Sequence, residues 1–169
     1  MDQGRPVRLR NSLIKMDQEF RLYWKNYVMQ SLMATGAIFI VIYFLSLQNA
    51  VIIASLGATT FIVFAMPDYI TARTRNVIGG HIVGLFCGFL FSLIPHPSLL
   101  YATLIYSLAV GTSTFIMVVT DTEHPPAAGT ALGVAITGIT LPVLVVVVAS
   151  IVILSVIHHI LKPFLRDLT

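Results

Sequence analysis

The chain concentrates its reactive residue types in one short run, Asp121-Thr122-Glu123-His124-Pro125-Pro126-Ala127-Ala128-Gly129-Thr130. Two consecutive prolines remove two backbone donors and fix φ, so a helix arriving from the N-terminal side must break before them. Pro126 then suits the first turn of a new helix, whose unsatisfied N–H groups near Ala127, Ala128 and Gly129 are expected to point back into the break. Such an end carries about half a positive charge and attracts anions. Asp121 and Glu123 oppose a simple anion filter. They face the aqueous side, pair with Arg73 or Arg75, or take up protons, with His81 and His124 as further proton carriers. Asp121, Glu123 and His124 are nearly sequential and rarely converge on a metal without partners from elsewhere, so neither a metal nor another cofactor is expected.

A second group of candidates lies upstream. Gly80, Gly84 and Gly88 recur every fourth residue, a spacing that lets a second helix approach backbone to backbone. His81 shares a face with Gly84 and Gly88 and should point into the bundle, to relay protons, donate to an anion or cap a carbonyl. Arg75 and Asn76 stand just before that helix. A charge at mid-bilayer would cost about 2.5–3.5 kcal/mol, so they belong at the membrane edge, where Arg75 attracts an anion or snorkels to lipid phosphate. Ser55, Gly57, Thr59 and Thr60 interrupt another apolar run. If residues 55–60 begin a half-helix, its positive end would face the one at Pro126. An oxyanion site would then be lined by Gly57, Thr59, Thr60, Gly129 and Thr130 and shaped by His124, Pro125 and Pro126.

The elements that must hold these residues belong to a membrane protein. Hydrophobic residues make up 57% of the chain and charged ones 10%, with a mean hydropathy of +0.90, whereas a soluble domain is about a quarter charged. The single Cys87 excludes internal disulfides and cysteine metal sites. The net charge is +3, and six of the ten basic residues (Arg5, Arg8, Arg10, Lys15, Arg21 and Lys25) precede Tyr27. This is a membrane-proximal arm, not a nucleic-acid surface. No small-residue cleavage site follows, so the arm is expected to be retained. Within it Leu9, Leu13, Met16, Phe20, Trp24 and Tyr27 recur at steps of three or four, the pattern of an amphipathic helix in the headgroup layer. Tyr23, Trp24 and Tyr27 suit an aromatic belt.

Apolar runs at 27–47, 77–94, 99–119 and 142–161 are long enough to cross a bilayer, and those at 50–66 and 127–139 are short. The second short run would be roughly 20 Å long as a helix, against about 30 Å of hydrocarbon, so it must be re-entrant, partial or shielded by protein. The expected fold is an all-α polytopic membrane protein with four long transmembrane helices and two short or broken segments. Residues 1–26 form a cytoplasmic arm, 27–161 the transmembrane domain and 162–169 a cytoplasmic tail. The halves 27–94 and 99–161 match as a 3+3 inverted repeat, and Leu56-Gly57-Ala58-Thr59 resembles Ala128-Gly129-Thr130-Ala131. If both short segments cross, the arm, Arg73 with Arg75, and Lys162 with Arg166 share the cytoplasmic side of the cell (inner) membrane. Paired, glycine-interrupted short segments point to a transporter's substrate site, although tight helix packing alone also calls for such residues. So small a bundle is expected to form a homo-oligomer.

The His124-Pro125-Pro126 tripeptide between membrane segments, with the Ala-Gly-Thr-Ala-Leu run after it, resembles the HPP family of integral membrane proteins, named for that tripeptide. Arg75-Asn76-Val77-Ile78-Gly79-Gly80-His81 is similar to the family's second motif and Leu56-Gly57-Ala58 to its third. The family is usually described as having four transmembrane helices, a count that two short segments would explain. Its plant and cyanobacterial members are associated with nitrite transport, so the resemblance implies a small-oxyanion permease. One departure is the loop Asp68-Tyr69-Ile70-Thr71-Ala72-Arg73-Thr74, where members often have a Ser-Pro and Gln-Pro rich approach. The expected function is therefore a transporter or channel for a small inorganic anion, nitrite or a similar oxyanion, with proton coupling as an option and no enzymatic activity. Two rivals remain: a membrane-embedded metal-dependent enzyme using His81, Asp121, Glu123 and His124, and an accessory subunit whose glycines dock a larger partner.

Overall fold

The computed structural model describes residues 4–44 and 50–168, which form six α-helices. They are α1 (Gly4–Phe44), α2 (Ala50–Ala65), α3 (Thr74–Ser92), α4 (Leu99–Val119), α5 (Pro125–Thr137) and α6 (Leu141–Leu161). Among the described residues three stretches are long and apolar enough to cross a membrane, Thr74–Ser92, Leu99–Val119 and Leu141–Phe164. The expected fourth, 27–47, runs into residues outside those described. The helix α1 is continuous for 41 residues, with no break at the expected boundary between 26 and 27. The side chains of Leu9, Leu13 and Met16 lie outside the described residues.

The helix ends follow from local chemistry. Ser98 caps α4 by accepting from the Tyr101 N–H. At its other end Thr122 N–H bonds the Met117 carbonyl at 2.9 Å and Asp121 N–H bonds that of Val118 at 3.3 Å. This is a Schellman closure, and Asp121 takes the left-handed position with φ 55°. The chain then turns into α5 with His124 as N-cap and prolines in the first turn. Gly138, at φ 72°, ends that helix.

The six helices run alternately between two ends of the bundle. Gln30 on α1 donates to the carbonyls of Phe64, at the end of α2, and of Arg166, past α6. Arg75 at the start of α3 meets Asp121 just after α4, and His124 at the start of α5 meets the carbonyl of Thr71 in the α2–α3 loop. Near the end of α6, His158 Nε2 donates to the Pro67 carbonyl at 3.0 Å, and Lys162 lies 3.6 Å from Asp68. Arg75, Lys162 and Arg166 therefore gather at one end, whereas the opposite loops, 93–98 and 138–140, contain no Lys or Arg.

At the centre sits α5, packed mainly on α3 and also on α2 and α4. Without a hydrophobic drive between helices in lipid, close approach supplies the attraction, and small residues permit it. A Cβ at Gly80 would lie 2.7 Å from His124 Cβ, one at Gly84 would strike the Ala127 carbonyl, and one at Gly88 would lie 2.7 Å from the Ala131 carbonyl. Gly133 is matched in the same way to Ile52 of α2, at 2.5 Å. At only 13 residues, α5 is too short to span hydrocarbon unaided and is instead shielded by its neighbours, one of the three possibilities its length allows. The outer helix α4 turns Leu100, Leu104, Leu108 and Phe115 outward, the surface a lipid-facing helix needs.

Candidate functional site

On α2, Ile52, Ser55, Leu56, Thr59 and Val63 fall on one face at steps of three or four, and all five are buried. That face lies antiparallel against α5, with Ser55 beside Gly129 and Thr130 and Ile52 beside Gly133. On the other side α3 lies parallel to α5, and His81 projects from the Gly80–Gly84 flank toward the same place. The result is a cluster of polar side chains inside an otherwise apolar bundle. Thr59, His81, His124 and Thr130 are all 0% exposed and Ser55 is 5% exposed.

The cluster is a chain of hydrogen bonds with a backbone carbonyl at each end. Ser55 Oγ donates to the Pro126 carbonyl and lies 2.7 Å from Thr130 Oγ1. Thr130 Oγ1 is 2.9 Å from His81 Nδ1. His81 Nε2 is 2.9 Å from Thr59 Oγ1, which is also 2.9 Å from His124 Nε2. His124 Nδ1 closes the series, 2.8 Å from the Thr71 carbonyl. Because a carbonyl can only accept, the proton of this last bond belongs to His124. The rings of His81 and His124 are 5.1 Å apart between centroids, tilted across the Thr59 hydroxyl.

This arrangement differs from the expected anion site in three ways. Residues 55–60 do not begin a half-helix, because α2 runs unbroken over Ala50–Ala65. The hydroxyls of Thr59 and Thr60 bond back to the carbonyls of Ser55 and Leu56 at 3.1 and 2.8 Å, so these residues sit within a helix without interrupting it. The N-termini of α2 and α5 consequently lie at opposite ends of their antiparallel contact and do not face each other. The start of α5 also offers fewer donors than expected: two positions are proline, and Ala127 N–H is bonded to the His124 carbonyl at 2.9 Å.

The other anticipated residues are placed as follows. Pro126 contributes its carbonyl, and Gly129 gives Ser55 room, a Cβ there lying 3.2 Å from Ser55 Cβ. Pro125 is exposed. Gly57 faces Ile38 of α1, away from the cluster, and Thr60 is buried but not part of the chain of bonds. Arg75 and Asp121 form a largely exposed ion pair at 2.9 Å, and Arg75 also donates to the Thr120 carbonyl. The buried Asn76 donates to the Glu123 carbonyl at 3.1 Å and so pins the turn that delivers His124. Glu123 Oε2 is buried without a hydrogen-bond partner. No three His, Cys, Asp or Glu side chains converge as a metal site among the described residues.

Two participants were not singled out for the site from the sequence. Ser55 read as an interruption of an apolar run, although its spacing of four from Thr59 signals a shared face. Thr71 takes part through its carbonyl, and a carbonyl carries no residue signature. Beside the cluster, a cleft of about 480 Å³ opens between α2 and the start of α5, lined by Ala58, Phe61, Ile62, Met66, Pro125 and Pro126.

The chain matches the family described as HPP, transmembrane region, over residues 20–166. No curated protein and no solved structure matches it.

Proposed function

Because the chain belongs to the HPP transmembrane family, we propose that it carries a small inorganic oxyanion, nitrite or a close relative, across the membrane, and that it is a carrier or channel and not an enzyme. The observation that supports this reading is the burial of Ser55, Thr59, His81, His124 and Thr130 together between α2, α3 and α5. Polar side chains inside a membrane are costly and mark substrate and ion pathways. Hydroxyls and imidazole N–H groups can solvate an oxyanion without a fixed lysine or arginine in the hydrocarbon layer. The cleft lined by Pro125 and Pro126 lies beside the start of α5, and the largely exposed Arg75–Asp121 pair stands at the same end of the bundle.

The two halves of the chain, α1–α3 and α4–α6, are read as an inverted repeat whose short members, α2 and α5, cross antiparallel at the site, the place where such transporters hold their substrate. The end that gathers Arg75, Lys162 and Arg166 is assigned to the cytoplasm of the cell membrane by the positive-inside rule, which puts both termini there. The protein is read as a homo-oligomer on account of the small size of the bundle.

Reconstitution into liposomes tests the function. Nitrite uptake well above that of empty vesicles, lost in His124→Ala, is expected. Absence of flux for nitrite, nitrate, formate and bicarbonate alike overturns the reading.

A further inference from the structure

The series from Pro126 to Thr71 contains six hydrogen-bonded links: Pro126 carbonyl to Ser55, Ser55 to Thr130, Thr130 to His81, His81 to Thr59, Thr59 to His124, and His124 to the Thr71 carbonyl. Each link needs one proton. Three hydroxyls supply one each, two neutral imidazoles supply one each, and the terminal carbonyls supply none. Five protons therefore serve six links. With both rings neutral, two lone pairs must face each other at hydrogen-bond distance somewhere along the series, in a site that water does not reach. The helix bond from Thr59 to the Ser55 carbonyl, at 3.1 Å, adds a demand for a proton and supplies none.

One added proton completes the series, and it does so in two equivalent ways. With His124 as the imidazolium, His124 Nε2–H donates to Thr59, Thr59 donates to His81 Nε2, and His81 Nδ1–H, Thr130 and Ser55 donate in order toward the Pro126 carbonyl. With His81 as the imidazolium, its Nδ1–H serves Thr130 as before, while Nε2–H donates to Thr59 and Thr59 donates to His124 Nε2. The two forms differ only in the bonds at Thr59. His124 Nε2 gives a proton to Thr59 Oγ1 as Thr59 Oγ1 gives its own to His81 Nε2, so the charge moves from one ring to the other and the hydroxyl is regenerated.

We propose that this cluster is an intramembrane receptor for a single proton, shared between His81 and His124 through the Thr59 hydroxyl. Burial opposes the charge, and completion of the hydrogen-bond series favours it. Besides His81, α3 carries Asn76, the already paired Arg75 and the buried Cys87, the loop before it carries the exposed Arg73, and α2 contributes no ionisable group. The 120–124 turn brings Asp121, paired with Arg75, and Glu123, whose buried Oε2 has no partner and which directly precedes His124. From α6, His158 is engaged with the Pro67 carbonyl and Lys162 lies beside Asp68. Resting on the proposed oxyanion transport, the receptor makes the transported species an anion accompanied by a proton.

Nitrogen-15 NMR of histidine-labelled, full-length protein in lipid nanodiscs, titrated without any anion substrate, tests the receptor. Imidazolium and neutral tautomers have distinct nitrogen shifts, and substitution of single histidines assigns them. The expected result is one imidazolium per chain, averaged over His81 and His124, persisting at a pH well above the ordinary imidazole value of about 6.5. In Thr59→Val the averaging is lost, and in Thr59→Ser, which keeps the hydroxyl, it is retained. Two neutral rings of fixed tautomer at every pH where the protein is folded overturn the proposal, as does averaging that survives Thr59→Val. Absence of anion flux with the shared imidazolium present defeats the transport reading and leaves the proton receptor standing. Flux with both rings neutral does the reverse.

Discussion

His81 and His124 approach one atom, the Thr59 hydroxyl oxygen, each at 2.9 Å, from two helices that are parallel and in contact. Neither ring has water to fall back on. Thr59→Val should therefore destabilise the folded protein by about 1–3 kcal/mol for each ring nitrogen left without a partner, and Thr59→Ser by much less. Unfolding in mixed micelles, followed by circular dichroism, measures the difference.

The seating of α5 on α3 depends on missing side chains. Gly84→Val should cost about 1–3 kcal/mol or more, because its new atoms meet the Ala127 backbone, which cannot rotate away. Gly111, on α4, has nothing within 4 Å of an added Cβ, so Gly111→Ala should stabilise the helix by up to about 1 kcal/mol. Thermal unfolding of both variants in the same detergent checks the contrast.

Asp121 holds φ 55° and an exposed ion pair with Arg75. Loss of the pair should cost less than about 1 kcal/mol. Asp121→Gly should then be nearly neutral, since glycine accepts the left-handed conformation, whereas Asp121→Ala should cost about 1–2 kcal/mol. Equal stability of the two variants would show that backbone conformation is not what Asp121 contributes.

The segment after α6 is fastened by Gln30, which donates to the Arg166 carbonyl, and by the Leu168 N–H, which bonds the Ala65 carbonyl at 2.9 Å. In addition, the Arg166 guanidinium lies over the Tyr23 ring at 3.5 Å. Gln30→Ala removes its bonds to the Phe64 and Arg166 carbonyls; the one that holds this segment is worth about 0.5–1.5 kcal/mol, so hydrogen exchange at Leu168 should speed up by as much as roughly tenfold. Mass spectrometry of peptic fragments reads this directly.

Sidedness is open to thiol labelling. Cys87 is buried, and in a Cys87→Ser background Arg73→Cys and His96→Cys should react with an impermeant reagent from opposite faces of sealed vesicles. Labelling of both from one face would contradict the alternating path of the helices.

Much of this arrangement is legible in the amino-acid sequence alone. The every-fourth glycines announced a backbone-to-backbone contact, His81 beside them had to point inward, and the paired prolines had to break the chain before α5. The reading of residues 55–60 failed for a local reason. Serine, threonine and glycine in an apolar run resemble a break, yet in lipid the hydroxyls of Thr59 and Thr60 bond the preceding turn and the helix continues. At the start of α5, the prolines that favour a helix start also remove two of the backbone donors that an anion could use, and the Ala127 N–H is taken by the His124 carbonyl. That Ser55 meets Thr130 was not legible at all: the two are 75 residues apart, and nothing in either run names the other as its partner.

The position of α5 also constrains how the protein is made. A helix of 13 residues that cannot cover the thickness of a bilayer has little reason to leave the insertion machinery for lipid by itself. The three helices that enclose it, α2, α3 and α4, all precede it in the chain. Since synthesis proceeds from the N-terminus, its berth is already built when α5 emerges, and the order of the sequence acts as an order of assembly. Were α5 moved ahead of those neighbours by circular permutation, the same residues would have to wait, half inserted, for their walls to arrive.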